Sequence, residues 1–341
     1  MGVVEGVFEK LSEYFVINSA LCVRVRHKNA ACTACTDACP VEAVRITRAG
    51  GKVLVDWSLC TDCGKCVSAC MNGVFTLRRA DEARLNASIP EQINAAGSVK
   101  YSCARSKSSE NTAKVSALAY INRRQIIKAA SKGAERQEFI HGDCDTCPAG
   151  GCLDMLSEEI KAASKILELC GKEPSFLIRR PEEAPISKKK SRLAERLGGK
   201  QDVKLSRREF FGFIRKGAEK SMGKTLQYLG ENDANRQKTV LEVKETAAPH
   251  REYLNSIETL GGDILIRNMQ REGLLKRAEI DSEKCVKCGI CARMCPFQIF
   301  EPVVEKIKGR DVTQVINVKS VGCTGCNLCT ISCPYGAVSI R

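Results

Sequence analysis

The residues that can do chemistry in this sequence are cysteines in tight, repeated runs. Cys285-Val-Lys-Cys288-Gly-Ile-Cys291-Ala-Arg-Met-Cys295-Pro296 reads C-x2-C-x2-C-x3-C-P. Three thiolates two residues apart can wrap one face of an iron–sulfur cube. The fourth, followed by proline, leaves in another direction toward a neighbouring cluster. The run returns at Cys323, Cys326, Cys329 and Cys333-Pro334. It recurs at Cys60, Cys63, Cys66 and Cys70, and in modified form at Cys32, Cys35 and Cys39-Pro40. Among 341 residues there are 21 cysteines and only three histidines. Disulfides need an oxidising compartment, and neither the odd count nor the tight spacing suits them. Structural zinc uses C-x2-C pairs separated by longer loops. Inert buried cysteines do not recur at fixed spacing.

These runs need elements to hold them. Between the first two runs, Val44 and Ile46, then Val53 and Val55, alternate on either side of an Ala49-Gly50-Gly51 turn, which predicts a hairpin. Val4, Val7, Phe8, Leu11 and Phe15 predict an amphipathic helix over residues 1–20. The whole pattern resembles bacterial two-cluster ferredoxin, whose two halves are related by pseudo-symmetry. That resemblance implies crossed ligation, in which three cysteines of one run share a cluster with the last cysteine of the other. It assigns Cys60, Cys63, Cys66 and Cys39 to one [4Fe-4S] cluster. The partner cluster takes Cys32, Cys35 and Cys70 and lacks one ligand, because Asn29 stands where that family has its first cysteine. Cys22, seven residues earlier, completes the set through a longer loop; a non-cysteine ligand or an incomplete cluster is the alternative. Met71, where the other runs have proline, is expected to alter the local turn but not ligation. Over residues 275–341 the match is complete. Cys285, Cys288, Cys291 and Cys333 share one cluster there, and Cys323, Cys326, Cys329 and Cys295 share the other. Val312, Val315, Ile316 and Val318 mark the strands between the halves.

Residues 95–178 read differently. Residues 99–101 form a strand ending at Cys103, and helical sequence follows over 113–135. A second strand, 138–140, runs into His141-Gly-Asp-Cys144-Asp-Thr-Cys147-Pro-Ala-Gly-Gly-Cys152. Leu153, Leu156, Ile160, Ala163, Leu167 and Cys170 recur at helical steps up to a stop at Gly171, and a third strand covers 176–178. Strands alternating with helices imply a parallel sheet. The crevice at its carboxyl end would gather Cys103 with Cys144, Cys147 and Cys152. Four thiolates there make a fifth iron–sulfur cluster, [2Fe-2S] or [4Fe-4S], with zinc as the alternative. Cys170 reads as core. The strand-end cysteine, the 128–135 stretch and the HGDC-type loop resemble the iron–sulfur delta subunit of methyl-viologen-reducing hydrogenases. That domain accompanies heterodisulfide-reductase-type electron-transfer complexes and carries a two-iron cluster.

Residues 179–260 form a basic connector. The net charge is +14, and residues 179–238 hold 17 Lys and Arg against 8 Asp and Glu. Ser206-Arg-Arg-Glu209 superficially matches a twin-arginine signal, but it is internal and no apolar region follows. A capping box is the better reading, opening a helix with Phe210, Phe213 and Ile214 on one face. That face meets a partner, the chain itself or a membrane surface. No nucleic-acid recognition motif accompanies the charge. No targeting signal and no apolar run of about 18 residues is visible, so a soluble cytoplasmic protein is expected.

The expected fold class is α+β: two bacterial 2[4Fe-4S] ferredoxin-type modules, 1–80 and 275–341, flanking a small α/β domain with parallel strands, plus the basic, partly helical connector. Sixteen cysteines then serve four [4Fe-4S] clusters and four serve the fifth. Such a chain conducts electrons. It has no nucleotide fingerprint, P-loop or Ser/His/Asp set, and His27, His141 and His250 are scattered. The expected role is an electron-transfer subunit between a donor such as soluble ferredoxin and the catalytic subunit of an anaerobic oxidoreductase complex. The catalytic partner would be a hydrogenase, formate dehydrogenase, flavin reductase or heterodisulfide-reductase-like enzyme. A self-contained redox enzyme with an open-site middle cluster, or a redox-sensing DNA-binding protein, is the alternative.

Overall fold

The computed structural model describes residues 15–47, 51–108, 110–181, 248–307 and 310–341. Val4, Val7, Phe8 and Leu11 of the expected leading helix, the Ala49-Gly50 turn and the Ser206 capping box lie outside the described residues. In the first module, β1 (Phe15–Ile17), β2 (Val44–Ile46), β3 (Val53–Val55) and β4 (Phe75–Leu77) make two antiparallel ribbons, β1 with β4 and β2 with β3. The expected hairpin is therefore present. The end of the expected leading helix is not, because Phe15 belongs to a strand. Pairing with β4 buries its ring against Phe75 and Trp57, with centroids 5.7 and 5.2 Å away. Three short helices carry the cysteine runs: α1 (Val23–Arg26), α2 (Ala34–Asp37) and α3 (Lys65–Ala69).

A helix that the sequence pattern did not announce comes next. α4 (Arg79–Ala96) contains Pro90 and ends at Gly97, whose φ of 62° lets its N–H donate to the Ile93 carbonyl at 2.7 Å. β5 (Ser98–Cys103), β6 (Ala113–Val115), α5 (Arg123–Ser131), β7 (Arg136–Ile140), α6 (Cys152–Glu168) and β8 (Ser175–Arg179) complete the middle domain. Its four strands run parallel in the order β6-β5-β7-β8. The expected helix over 113–135 is thus corrected. Its first residues are strand β6, and helix begins only where Asn122 and Gln125 form a capping box. α6 stops as expected, with Gly171 at φ 70° donating to the Glu168 carbonyl at 2.9 Å.

The last residues of the expected 179–260 connector belong to α7 (Ala248–Arg271), which is broken at Gly262. Lys128 on α5 binds Glu252 on α7 at 2.6 Å. The second module repeats the two ribbons: β9 (Ala278–Ile280) with β12 (Val338–Ile340), and β10 (Phe300–Ile307) with β11 (Arg310–Val318). α8 (Ile290–Met294) and α9 (Leu328–Ser332) carry its cysteines. One continuous core joins the first module, the parallel sheet and α7, including Phe15, Ile89, Tyr120, Phe139, Ile257 and Met269. The second module keeps its own small core around Ile299, Phe300 and Ile316.

Glu159 ties this body together. Buried on α6, it accepts from the main-chain N–H, Nε and Nη2 of Arg123, each at 2.8 Å, and so fixes the start of α5. Glu159→Ala strands a part-buried guanidinium and is expected to cost about 2–3 kcal/mol. An anaerobic thermal melt followed by circular dichroism measures it: the variant's Tm falls by several degrees, and an unchanged Tm would show the pair to be idle.

Candidate iron–sulfur centres

Backbone conformation recurs among the cysteine runs. Left-handed residues flank the second cysteine in three of them: Asp62 and Gly64 around Cys63 (φ 53° and 74°), Lys287 and Gly289 around Cys288 (60° and 71°), and Gly325 and Asn327 around Cys326 (74° and 59°). Alternation of ordinary and left-handed residues turns successive N–H groups to one side, the concave nest typical of iron–sulfur sites. The Cys32 run departs from this, since Thr33, after its cysteine, has φ −121°.

The fourth cysteine sits in the same turn in all four runs. Glu42, Gly73, Gln298 and Gly336, three residues on, have φ of 51°, 72°, 53° and 59°. The sulfurs of Cys39 and Cys333 accept the N–H groups of Ala43 and Ala337 at 3.2 and 3.4 Å. Cys70 accepts from Val74, and Cys295 from Ile299, at the same step. Met71 therefore leaves the local turn as it is, against expectation. The turn is closed by N–H···S bonds, which a proline ring assists but does not make.

Distant runs meet in these sites. Cys39, Cys60, Cys63 and Cys66 line one cavity walled by Phe15, Val44 and Val55. Cys285, Cys288, Cys291 and Cys333 line another, with Ile316, Tyr335 and Val338. In a third group, burial and the neighbouring Cys326 and Cys295 push the Cys329 thiol up to about 12 and Cys323 to about 11. In the fourth, burial and then Cys70, Cys22 and Cys32 push Cys35 up to about 12. Cys22 is buried in this group, whereas Asn29 is exposed. Burial and mutual repulsion oppose ionisation of such thiols, and bound iron offsets both, because a metal-coordinating thiol is deprotonated outright. Sulfur-only groups of four, in apolar walls with N–H donors turned inward, fit iron–sulfur clusters. Among the described residues, no three His, Cys, Asp or Glu side chains close to the spacing of a single metal ion.

The middle cysteines gather at the carboxyl end of the parallel sheet. Burial raises the Cys144 thiol, and Cys147 and Cys103 add to the effect. His141 Nδ1 lies 3.7 Å from Cys144 Sγ. Cys152 stands at the edge of this group. Burial pushes it up to about 12, Cys63 of the first module acts next, and its Sγ is 3.6 Å from the Cys63 carbonyl oxygen. Cys170 donates to the Ile166 carbonyl at 3.2 Å and belongs to none of these groups.

The contacts behind this proximity went unread in the sequence. The Tyr120 hydroxyl donates to Asp62, and Ser68 Oγ to the Ala119 carbonyl at 2.6 Å. Arg105 Nη2 donates to the Thr61 carbonyl at 3.2 Å. A Cβ on Gly64 would stand 2.5 Å from the Tyr120 ring, so this glycine serves docking as well as the nest. Only the run's glycine hinted at it.

Two family models match these regions. Residues 30–75 and residues 278–340 are each a 4Fe-4S dicluster domain. The modules thus bring [4Fe-4S] clusters and an electron-transfer role to the chain. The first match begins beyond Cys22. No curated protein and no solved structure matches the chain. Among the described residues, no helix is long and apolar enough to cross a membrane.

Cys333→Ala should remove the cluster of Cys285, Cys288 and Cys291 while sparing that of Cys323, Cys326 and Cys329. Electron paramagnetic resonance of the reduced protein, with iron analysis, separates the outcomes; loss of the second signal alone refutes the crossing. Cys22→Ser should perturb one first-module signal, and an unchanged iron count and spectrum would place the missing ligand elsewhere.

Proposed function

We propose that this chain is a multi-cluster electron-transfer subunit with four [4Fe-4S] clusters. The ligand sets are Cys39 with Cys60, Cys63 and Cys66; Cys22 with Cys32, Cys35 and Cys70; Cys285 with Cys288, Cys291 and Cys333; and Cys295 with Cys323, Cys326 and Cys329. A fifth iron–sulfur cluster belongs to Cys103, Cys144, Cys147 and Cys152 in the middle domain. The chain relays single electrons in the cytoplasm between a donor such as ferredoxin and the catalytic subunit of an anaerobic oxidoreductase complex.

The observation that carries this reading is the contiguity of the sulfur groups. Cys152 of the middle group abuts Cys63. Cys66, in the same group as Cys63, is in turn influenced by Cys35 of the Cys22/Cys32/Cys35/Cys70 group. A cluster takes up and releases one electron at a potential tuned by charge, hydrogen bonds and exposure. A row of such groups suits conduction better than substrate turnover.

Anaerobic purification from native cells tests it. The protein should be brown and carry about four to five clusters per chain, and a catalytic oxidoreductase subunit should co-purify. A colourless protein with stoichiometric zinc would end the reading.

A further inference from the structure

The two modules touch where the Cys22/Cys32/Cys35/Cys70 group meets the Cys295/Cys323/Cys326/Cys329 group. Asn72, two residues past Cys70, donates its main-chain N–H to the Cys70 sulfur. Its Nδ2 reaches the Leu21 carbonyl beside Cys22 at 3.5 Å. Its Oδ1 accepts from Thr324 Oγ1 at 2.7 Å, and Thr324 directly follows Cys323. A second contact lies alongside. Arg26, four residues past Cys22, donates through Nε and Nη2 to the Met294 carbonyl at 3.3 and 3.1 Å. Nη2 also reaches the Arg293 carbonyl at 3.5 Å, and Nη1 holds Ala20 of its own module at 3.1 Å. Met294 directly precedes Cys295. The charge of this half-buried guanidinium meets the sulfurs of Cys295 and Cys326, which work against the lowering of its pKa by burial.

We infer that Arg26, Asn72 and Thr324 form the electron-transfer joint between the two modules. The hydrogen-bonded path from Cys70 through Asn72 and Thr324 to Cys323 links one sulfur group to the other in few steps. Arg26 clamps the loop that presents Cys295 and sets a positive charge beside that group. The inference rests on the proposed relay function and adds its order. The middle crevice lies at one end, followed by the two first-module groups, the joint, the Cys295 group, and the Cys285 group at the far end. The step at the joint moves one electron and nothing else. One side is oxidised by one electron as the other is reduced, no bond forms or breaks, and no proton leaves. All three are positioning residues, since none supplies a ligand sulfur.

A positive charge beside an iron–sulfur group favours its reduced form, so removing the charge lowers the reduction potential. The test is an anaerobic redox titration of the full chain with dithionite, followed by electron paramagnetic resonance. Arg26→Gln should shift one midpoint potential to lower values and leave the others in place, while Arg26→Lys should keep it near the parent value. Thr324→Val keeps the side chain's shape and removes its hydroxyl. It should retain the iron and sulfide content and lose part of the spin–spin broadening in the fully reduced protein. Full cluster content with unchanged potentials in Arg26→Gln and unchanged broadening in Thr324→Val overturns the joint alone. So does a shift in Arg26→Lys as large as in Arg26→Gln. A parent chain without iron and sulfide would instead refute the relay itself.

Discussion

Burial of the cysteine thiols governs this structure. A sulfur withdrawn from water resists ionisation, and neighbouring sulfurs raise that resistance further. Cys35, Cys323 and Cys329 all carry this double penalty. Only a cationic centre shared by the group makes such crowding favourable, and no single run gathers a complete group. Cys39 must travel to the Cys60 loop, and Cys333 to the Cys285 loop. The paired ribbons follow from that requirement. Each brings one half's last cysteine to the other half's loop, and the N–H···S bond four residues on fixes the sulfur once there.

The two modules solve the same problem in different settings. The first gives up independence: its core runs on into the parallel sheet and α7, and the Cys60–Cys66 loop is pressed against Tyr120. The second keeps a separate core and meets α7 around His250, whose ring lies 5.1 Å from Phe297 and whose Nε2 donates to the Gly322 carbonyl at 3.1 Å. Burial together with nearby Arg124 drives the His250 pKa down to about 4, so this contact is made by a neutral ring. Shared apolar packing joins the middle domain to the first module.

What could be read from the sequence was whatever repeats or alternates. Cysteine spacing, the β2–β3 hairpin, the β5 and β7 strands with cysteines at or just past their ends, and the parallel sheet all carried such signals. The misses have physical causes. The apolar run through Ala113 and Val115 fits a strand or a helix equally, and only pairing with β5 decides it. Pro90 lies inside α4, where proline reads as a helix breaker, and Gly262 breaks α7, so neither announces itself as a clean helical stripe. Phe15 fits an apolar helical face in the sequence, yet tertiary pairing with β4 makes it a strand residue. Met71 misled because the familiar proline was credited with a turn that sulfur-directed N–H groups hold. Contacts such as Thr324 with Asn72 join residues 252 positions apart, and no local pattern encodes them.

Of the 21 cysteines, two are exposed, Cys32 and Cys288, one in each module. Each module therefore turns one rim towards solvent, at Cys32 and at Cys288, while Cys66 and Cys329, 7% and 6% exposed, stay shielded. An electron exchanged with a small solvent-borne partner would pass most directly at these two rims, with the shielded sulfurs behind them.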